Sequence, residues 1–419
     1  MQKSLKENIN QRLSLLFYLI LSQFCGKINI IFKVCVEMTE KLFKRLDELE
    51  QEYIDFLIDI CDIESPTEYK KGVDAVGKYI MEKAKKRNWL IEVQKQEVAG
   101  DAICITMNPD AKERPVCLSA HMDTVHPIGL FKEPRVRCDE TKIYGPGTLD
   151  CKGGIVSSFM AMAALEDIGF TKRPVKLILQ SDEENGSRFS NKTTVEFMAE
   201  KSKDAIAFLN CEGFTPGSYI AERKGIRKYK FEITGKAVHS SVCYNGVSAV
   251  TEAAYKILEL EKMKDSQGLT CNCGIINGGT AENTVPEKCT FTADIRFRTA
   301  KQAEDAHKLV EKIANTSYVE GSSCKLTLAS YRCAMEKTDF NEELGKKMNE
   351  IFARNGLPKL KPSLGNGGSD AADMTKHGIP TVDNMGPSGD GGHSIREYIN
   401  KDSLKYSAKM LAVIACEIE

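Results

Sequence analysis

The sequence lacks an excess of charge of either sign. Its 419 residues include 58 Lys and Arg against 59 Asp and Glu, which gives a formal net charge of -1. A basic excess is typical of proteins that bind nucleic acid or anionic membrane surfaces. The phosphate-binding signatures GxGxxG and GxxxxGK[ST] are also missing. We therefore expect neither nucleic acid as a partner nor a nucleotide site of the Rossmann or P-loop kind.

Cysteines are numerous but lack the spacing of a disulfide scaffold. The 15 cysteines are odd in number and scattered through apolar runs. This distribution is typical of reduced thiols in a cytoplasmic protein. Cys271 and Cys273 form a CxC, but no second cysteine pair accompanies them to suggest a zinc knuckle. We therefore predict that these two residues are buried in a strand.

The N-terminal residues 1–37 contain no complete membrane-targeting signal. The apolar run at residues 13–24 is too short to span a bilayer as a helix, and no small-x-small cleavage site follows it. A helix typical of the start of an enzyme domain opens at Met38. We favour the interpretation of residues 1–37 as an upstream extension outside the fold over that of a membrane anchor. No stable membrane association is expected.

The rest of the chain is long enough for two domains. Helical periodicity alternates with short apolar runs at residues 115–120, 175–180 and 205–209, which predicts an α/β fold. Residues 224–330 follow a different order, strand-helix-strand-strand-helix-strand, which is typical of a ferredoxin-like unit. We therefore predict a discontinuous catalytic domain over residues 38–223 and 332–419, interrupted by a second domain over residues 224–331.

His121 and Asp123 follow the apolar run at residues 115–120. Open α/β sheets bind their ligands at the carboxyl ends of the strands. Because side chains alternate along a strand, His121 and Asp123 are expected on the same side. The carboxylate can then orient the imidazole for a metal. Taken alone, such a pair is more often an ordinary surface feature.

Further metal-binding side chains occupy similar positions. Asp150 precedes a predicted helix, Glu183 with Glu184 follows the run at 175–180, and Glu212 follows the next strand. His393 lies in a glycine-rich loop near the C-terminus. Each has an ordinary alternative, such as a helix cap or a solvated acidic turn. Together they form a His, Asp and Glu set that suits two zinc ions sharing a carboxylate.

These motifs together resemble a known family. HMDT, GPGTLDCKGG, SDEENGS, Glu212, GKAVHSS, GGTAENTVPEKCTFTADIR and GGHSIREYI occur in the order found in M20 metallopeptidases, from about Met38 to the end. That family includes glutamate carboxypeptidase, acetylornithine deacetylase and succinyl-diaminopimelate desuccinylase. The resemblance implies a zinc-exopeptidase-like catalytic domain, with helices on both faces of a mixed sheet, and a ferredoxin-like lid that forms a homodimer.

The resemblance also implies roles for single residues. Each subunit would bind two Zn²⁺ ions, with Co²⁺ or Mn²⁺ as possible substitutes. Asp150 would be the ligand that bridges the two ions. Glu183 would be the general base, and Asp123 would orient a metal-binding histidine. His239 would reach across the dimer to stabilise an oxyanion, and a cis peptide bond would follow Asp150. The remaining metal ligands are His121, Glu184, Glu212 and His393, and the substrate carboxylate would contact Asn283 and Arg296.

The expected activity is hydrolysis of a peptide or amide bond beside a carboxylate, in a small peptide or N-acyl amino acid. Gly213 follows Glu212 where the desuccinylase and deacetylase branches usually have proline. The motifs of this sequence are therefore closer to those of the carboxypeptidase branch. Two alternatives remain: an N-acyl-amino-acid deacylase, and a catalytically silent scaffold that binds a peptide. Two of the lid residues have structural alternatives: His239 as a surface histidine at a strand end, and Arg296 as a salt-bridged arginine of the sheet. Three other histidines are interpreted as structural or solvent-facing: His126, His307 and His377.

Overall fold

The computed structural model describes residues 37–419. The two interpretations of the N-terminal segment, extension or anchor, concern residues 1–37 and so lie almost entirely outside the described residues. Among residues 37–419, no helix has both the length and the apolar character needed to cross a membrane.

Helices and strands alternate through most of the described chain. The helices are α1 (37–61), α2 (Lys70–Lys86), α3 (Lys152–Asp167), α4 (Thr193–Ser202), α5 (Ala249–Glu261), α6 (Ala300–Asn315), α7 (Asp339–Arg354), α8 (Asp370–Lys376) and α9 (Lys401–Glu417). The strands are β1 (Leu90–Gln94), β2 (Ala102–Met107), β3 (Val116–His121), β4 (Arg137–Cys138), β5 (Lys142–Tyr144), β6 (Val175–Gln180), β7 (Ala207–Asn210), β8 (Ser218–Arg223), β9 (Gly225–Thr234), β10 (Thr270–Gly278), β11 (Lys288–Phe297), β12 (Ser323–Arg332), β13 (Lys361–Gly365), β14 (Thr381–Val382), β15 (Gly389–Asp390) and β16 (Tyr398–Asn400).

A six-stranded mixed sheet forms the larger part of the fold, in the order β1-β2-β6-β3-β7-β14. β3 pairs in parallel with β6 and β7, and β14 pairs in parallel with β7. β2 pairs antiparallel with β1 on one side and with β6 on the other. Every residue of β2, β3 and β7 is buried. Such continuous burial is typical of strands covered on both faces.

Helices cover both faces of this sheet because its strands carry apolar side chains on both sides. Ile103 and Leu118 belong to a core that includes residues of α1, α3 and α9. Cys104 and Cys117, which are neighbours of those residues along the strands, pack with residues of α4 and α8 in a second core. The predicted α/β class, with a mixed sheet between two helical layers, is confirmed.

A second, four-stranded sheet is built from residues 225–332. Its order is β10-β11-β9-β12, and all three pairings are antiparallel. With α5 and α6 in the two connections, this is the order of a ferredoxin-like βαββαβ unit. Its core of sixteen buried residues draws only on residues 229–314. The unit therefore packs around its own centre.

Candidate functional site

Three carboxyl ends of neighbouring strands meet at one edge of the mixed sheet. His121 is the last residue of β3, Glu183 and Glu184 follow β6, and Glu212 follows β7. Because β6, β3 and β7 are adjacent and parallel, their carboxyl ends lie side by side. The sheet topology thus brings together groups that are separated by up to 91 residues in the sequence.

Asp150 lies at the centre of this cluster and contacts a histidine with each carboxylate oxygen. Its Oδ1 is 2.9 Å from His121 Nε2, and its Oδ2 is 3.0 Å from His393 Nε2. Glu212 Oε1 lies 3.8 Å from His121 Nε2, and Glu184 Oε2 lies 3.4 Å from His393 Nε2. The five side chains therefore form two His, Asp and Glu triads that share Asp150. The peptide bond from Asp150 to Cys151 is cis, as the resemblance implied.

Asp123 is fully buried and ties the cluster to its supports. His121 Nδ1 is 2.9 Å from the Asp123 carbonyl oxygen and 3.3 Å from its carboxylate Oδ1. The same carboxylate accepts hydrogen bonds from the main-chain amides of Glu183 and Glu184, each at 3.1 Å. The main-chain carbonyl of Asp123, rather than the predicted carboxylate, is the closer partner of the imidazole, and the carboxylate also fixes the turn that carries both glutamates.

Burial and mutual repulsion perturb the carboxyl groups of this cluster. Burial raises the pKa of Glu184 to about 7, and the charges of Asp150 and Glu183 add to the rise. Burial likewise raises the pKa of Glu212 well above its usual range, with repulsion from Asp150 adding to it. The hydrogen bonds to Asp150 and Glu184 raise the pKa of His393 to about 10. Carboxylates held this close together are stabilised by a positive charge.

The side chains present fit a divalent metal site. His121, Asp150 and Glu184 each offer a ligand atom, and these atoms lie within 4.8 Å of one another. Glu184 Oε1 is buried without a hydrogen-bond partner, which is a costly arrangement unless another group satisfies it. Cys151 lies within the same distance of His121 and Glu212. Because burial raises the pKa of its thiol well above the usual range, we assign the metal-binding role to the nitrogen and oxygen atoms.

Glu397 is a support that the sequence did not identify. Its side chain is fully buried and accepts hydrogen bonds from the amides of Leu149 and Asp150 at 2.8 and 3.0 Å. It also accepts one from the Gly147 amide, and its Oε2 lies 2.7 Å from His126 Nε2. Glu397 therefore holds the loop that presents Asp150, and His126 is structural, as predicted. The only sequence signal was an acidic residue close to His393.

A cavity of about 460 Å³ opens in front of the cluster. Four carboxyl groups form its acidic side, next to His393: those of Asp150, Glu183, Glu184 and Glu212. Basic side chains form the remainder of its charged lining, which we call the basic wall: Arg188, Arg223, Lys228, Arg296 and Arg332. Of these five residues, the sequence predicted only Arg296. A cavity lined by charges of both signs suits a ligand that carries a carboxylate.

Arg332 contributes the closest basic contact to the acidic side. It is the last residue of β12, and its Nη1 lies 2.5 Å from Glu183 Oε1. Its Nη2 donates to the Glu183 carbonyl oxygen. Two donors from one guanidinium fix both the main chain and the side chain of Glu183. The ferredoxin-like unit thus reaches the metal-binding edge through this arginine.

The predicted lid residues occupy two different places. Arg296 lines the cavity and is also paired with Asp294 on its own strand, at 2.5 and 3.0 Å. The functional and structural interpretations of Arg296 are therefore compatible. His239 and Asn283 are exposed neighbours, joined through the hydrogen bond from the Ser240 amide to the Asn283 carbonyl oxygen, and neither lines the cavity. Within one chain they lie apart from the two triads.

Comparison with known proteins identifies the family. The profile of Peptidase family M20/M25/M40 matches residues 117–417. Carboxypeptidase G2 of Pseudomonas sp. (strain RS-16) is 25% identical over 398 residues, which cover 93% of this chain and 92% of that protein. A probable succinyl-diaminopimelate desuccinylase of Staphylococcus aureus (strain MRSA252) is also 25% identical, over 85% of this chain and 95% of its own.

Solved structures share the fold. The crystal structure of a tripeptidase from Staphylococcus aureus superimposes with a TM-score of 0.72 at 20% identity, covering 88% of this chain and 98% of that one. The profile spans well over half of the sequence and includes all five residues of the two triads. The expected family is therefore confirmed, together with the hydrolase activity and divalent metal use that are typical of it. This chain belongs to peptidase family M20/M25/M40.

Proposed function

We propose that this chain is a two-metal hydrolase that cleaves a peptide or amide bond next to a carboxylate. The observation that carries the proposal is the pair of triads that share Asp150, in a cavity that the basic wall also lines. His121, Asp150 and Glu212 would hold one divalent ion, and Asp150, Glu184 and His393 the other. A set of nitrogen and oxygen ligands with one shared carboxylate suits zinc.

Different groups around the cavity have different roles in the proposed reaction. Divalent ions held by the two triads would supply Lewis-acid chemistry to the scissile carbonyl and to water. Glu183 lines the cavity beside the triads, so it accepts the proton of the attacking water and delivers it to the leaving nitrogen. The basic wall binds the substrate carboxylate and so places the neighbouring bond at the triads.

Two other functions remain distinguishable from this one. An N-acyl-amino-acid deacylase would use the same triads and the same basic wall, because its substrates also carry a carboxylate beside the amide. A silent scaffold would bind a peptide without turnover. Glu183 favours an enzyme, because a binding protein needs no general base at that position.

The substrate class can be tested with dipeptides and N-acyl amino acids, each offered with a free or an amidated carboxylate. We expect turnover of the free acids, and Arg296→Ala should raise their KM by about 10- to 100-fold because a charged hydrogen bond is lost. Arg298→Ala is the matched control. Arg298 lies next to the same strand, pairs with Glu222 and does not line the cavity.

Amidated substrates test whether hydrolysis requires the free carboxylate of the substrate. If they are hydrolysed as fast as the free acids by the wild type, the proposed role of the basic wall is wrong. A preference for dipeptides over N-acyl amino acids identifies a peptidase, and the reverse preference identifies a deacylase. Binding of both classes without turnover of either, in zinc-loaded protein, would identify the scaffold.

We also propose that residues 224–331 form an inserted domain, and that two chains associate through it. The unit has its own core, and β10 is one of the two edge strands of its sheet. Ile275 and Ile276 on β10 and Leu258 on α5 are at least half exposed. An exposed edge strand with apolar neighbours is typical of an interface. In such a dimer, His239 and Asn283 would complete the site of the other subunit.

The dimer can be tested by light scattering of the purified chain. We expect the mass of two chains for the wild type and of one chain for Leu258→Asp, because a buried charge without a partner disrupts an apolar interface. Leu309→Asp changes an exposed leucine on the other helix of the unit and should remain dimeric. A wild type that is monomeric at every concentration would contradict the proposal.

A further inference from the structure

Three metal-binding side chains meet in the ferredoxin-like unit, outside the cavity described above. Glu261 is the last residue of α5, and Cys271 and Cys273 lie on β10. One carboxylate oxygen and the two sulfur atoms all lie within 4.8 Å of one another. None of the three residues lines the catalytic cavity. We call this set the thiol cluster.

Local structure explains why the two thiols face the helix end. Residues two apart on a strand point to the same side, so the CxC spacing presents both sulfurs to α5. The pairing of β10 with β11 shifts register between Asn272 and Ile275, and such irregularities re-aim side chains. The Cys273 amide donates a hydrogen bond of 3.4 Å to Glu261 Oε1. The carboxylate is thereby held beside the sulfur atoms.

Burial differs between the two thiols in a way that suits a bound ion. Cys271 is buried in the core of the unit, as the sequence predicted for both cysteines. Cys273 is only half-buried, so the cluster is open to solvent on one side. A cation can therefore enter from the Cys273 side and contact a sulfur that is already ordered by packing.

The electrostatics of the cluster favour a cation. Glu261 lies at the carboxyl end of α5, where the helix dipole is negative. Its carboxylate is paired with Lys264, whose positive charge offsets part of this negative charge. The hydrogen bond between the two thiols lowers the pKa of Cys273 and, with burial, raises the pKa of Cys271, so a bound cation has to offset the cost of ionising Cys271. A thiol with a lowered pKa is more readily converted to the thiolate that binds metal.

We propose that Glu261, Cys271 and Cys273 bind a thiophilic divalent cation of the Zn²⁺ class, separate from the catalytic ions. Thiolate ligands select such cations over Mg²⁺ or Ca²⁺. Binding converts two thiols to thiolates and releases their protons to solvent, without oxidation or reduction. The ion would fasten the end of α5 to β10. With three protein ligands, the fourth position of a tetrahedral site is left to solvent.

The test uses the full chain, stripped of metal with a chelator, kept reduced with a phosphine and titrated with Cd²⁺. Sulfur-to-cadmium charge transfer reports only thiolate ligation, whereas the catalytic triads offer nitrogen and oxygen. We expect the wild type to bind one more equivalent of Cd²⁺ than Cys273→Ser, with the charge-transfer absorption lost in that variant. Glu261→Gln should weaken the site by about tenfold or more, because one charged ligand is removed.

Two cysteine variants serve as controls. Cys138→Ser removes an exposed thiol elsewhere, and Cys151→Ser removes the thiol near His121; both should keep the absorption. Loss of the absorption in Cys151→Ser alone, or its survival in Cys273→Ser, would overturn the proposal. So would a wild type that forms a Cys271–Cys273 disulfide on air oxidation and takes up no Cd²⁺ when reduced. Circular dichroism checks folding, and Glu261→Gln, which leaves both thiols in place, tests the site if Cys273→Ser is unfolded.

Discussion

Replacement of Glu183 by glutamine is expected to lower kcat by about 10²- to 10⁴-fold, the usual contribution of a general base. Glutamine has the same shape and keeps an oxygen for the contact with Arg332 Nη1, but it cannot accept a proton from water. Glu183 contacts neither histidine of the triads within 4 Å. The zinc content, measured by elemental analysis, should therefore equal that of the wild type.

The matched control for this variant is Glu222→Gln. Glu222 also pairs with an arginine, at 2.6 Å from Arg298, but it does not line the cavity. Its substitution should leave kcat within about twofold, as expected for a half-buried residue that does not line the cavity. Wild-type turnover by Glu183→Gln would exclude Glu183 as the base. A variant that also loses zinc would show that Glu183 acts through metal retention, which contradicts the proposed division of roles.

The largest loss of metal is expected for Asp150→Asn. One oxygen of Asp150 contacts His121 and the other contacts His393, so both triads lose a charged ligand at once. Removing groups that only support a ligand already costs about 10- to 100-fold in metal affinity. We therefore expect zinc affinity to fall by more than about 100-fold, and hydrolysis to fall with it. Competition with a chelator of known affinity measures the change.

Asp139→Asn provides the control, because Asp139 is an exposed aspartate outside the cavity. It should bind as much zinc as the wild type. The stoichiometry also tests the shared ligand. If Asp150→Asn retains one tightly bound ion, that ion depends on one triad alone, and Asp150 does not bridge. If both ions are retained at unchanged affinity, the two-triad arrangement is wrong.

Much of the fold was predictable because its strong signals are local. The apolar run at 115–120 predicted a strand within one residue of β3, and the order of elements over residues 224–330 predicted the ferredoxin-like unit. Short strands were missed. β4 and β15 have two residues each, too few for any periodicity, and they form only because neighbouring strands offer them partners.

The sequence by itself determined which groups can bind metal. His121, Glu184 and Glu212 were predictable because each follows an apolar strand, and the carboxyl ends of parallel strands meet at one edge of a sheet. That inference needs no knowledge of the strand order. Asp150, before a predicted helix, and His393, in a glycine-rich loop, were candidates on their residue type and position, and the resemblance then gave them roles. The structure places both within hydrogen-bonding distance of each other.

Only the tertiary structure decided what surrounds those ligands. Arg332 is 149 residues from Glu183, and Glu397 is 247 residues from Asp150, yet each pair is in direct contact. No local pattern marks such residues, because an arginine at a strand end and a glutamate in a loop are ordinarily solvated. The charges that face the cavity follow from how β12 and the C-terminal loop pack against the sheet, since packing alone determines which polar side chains lose their water.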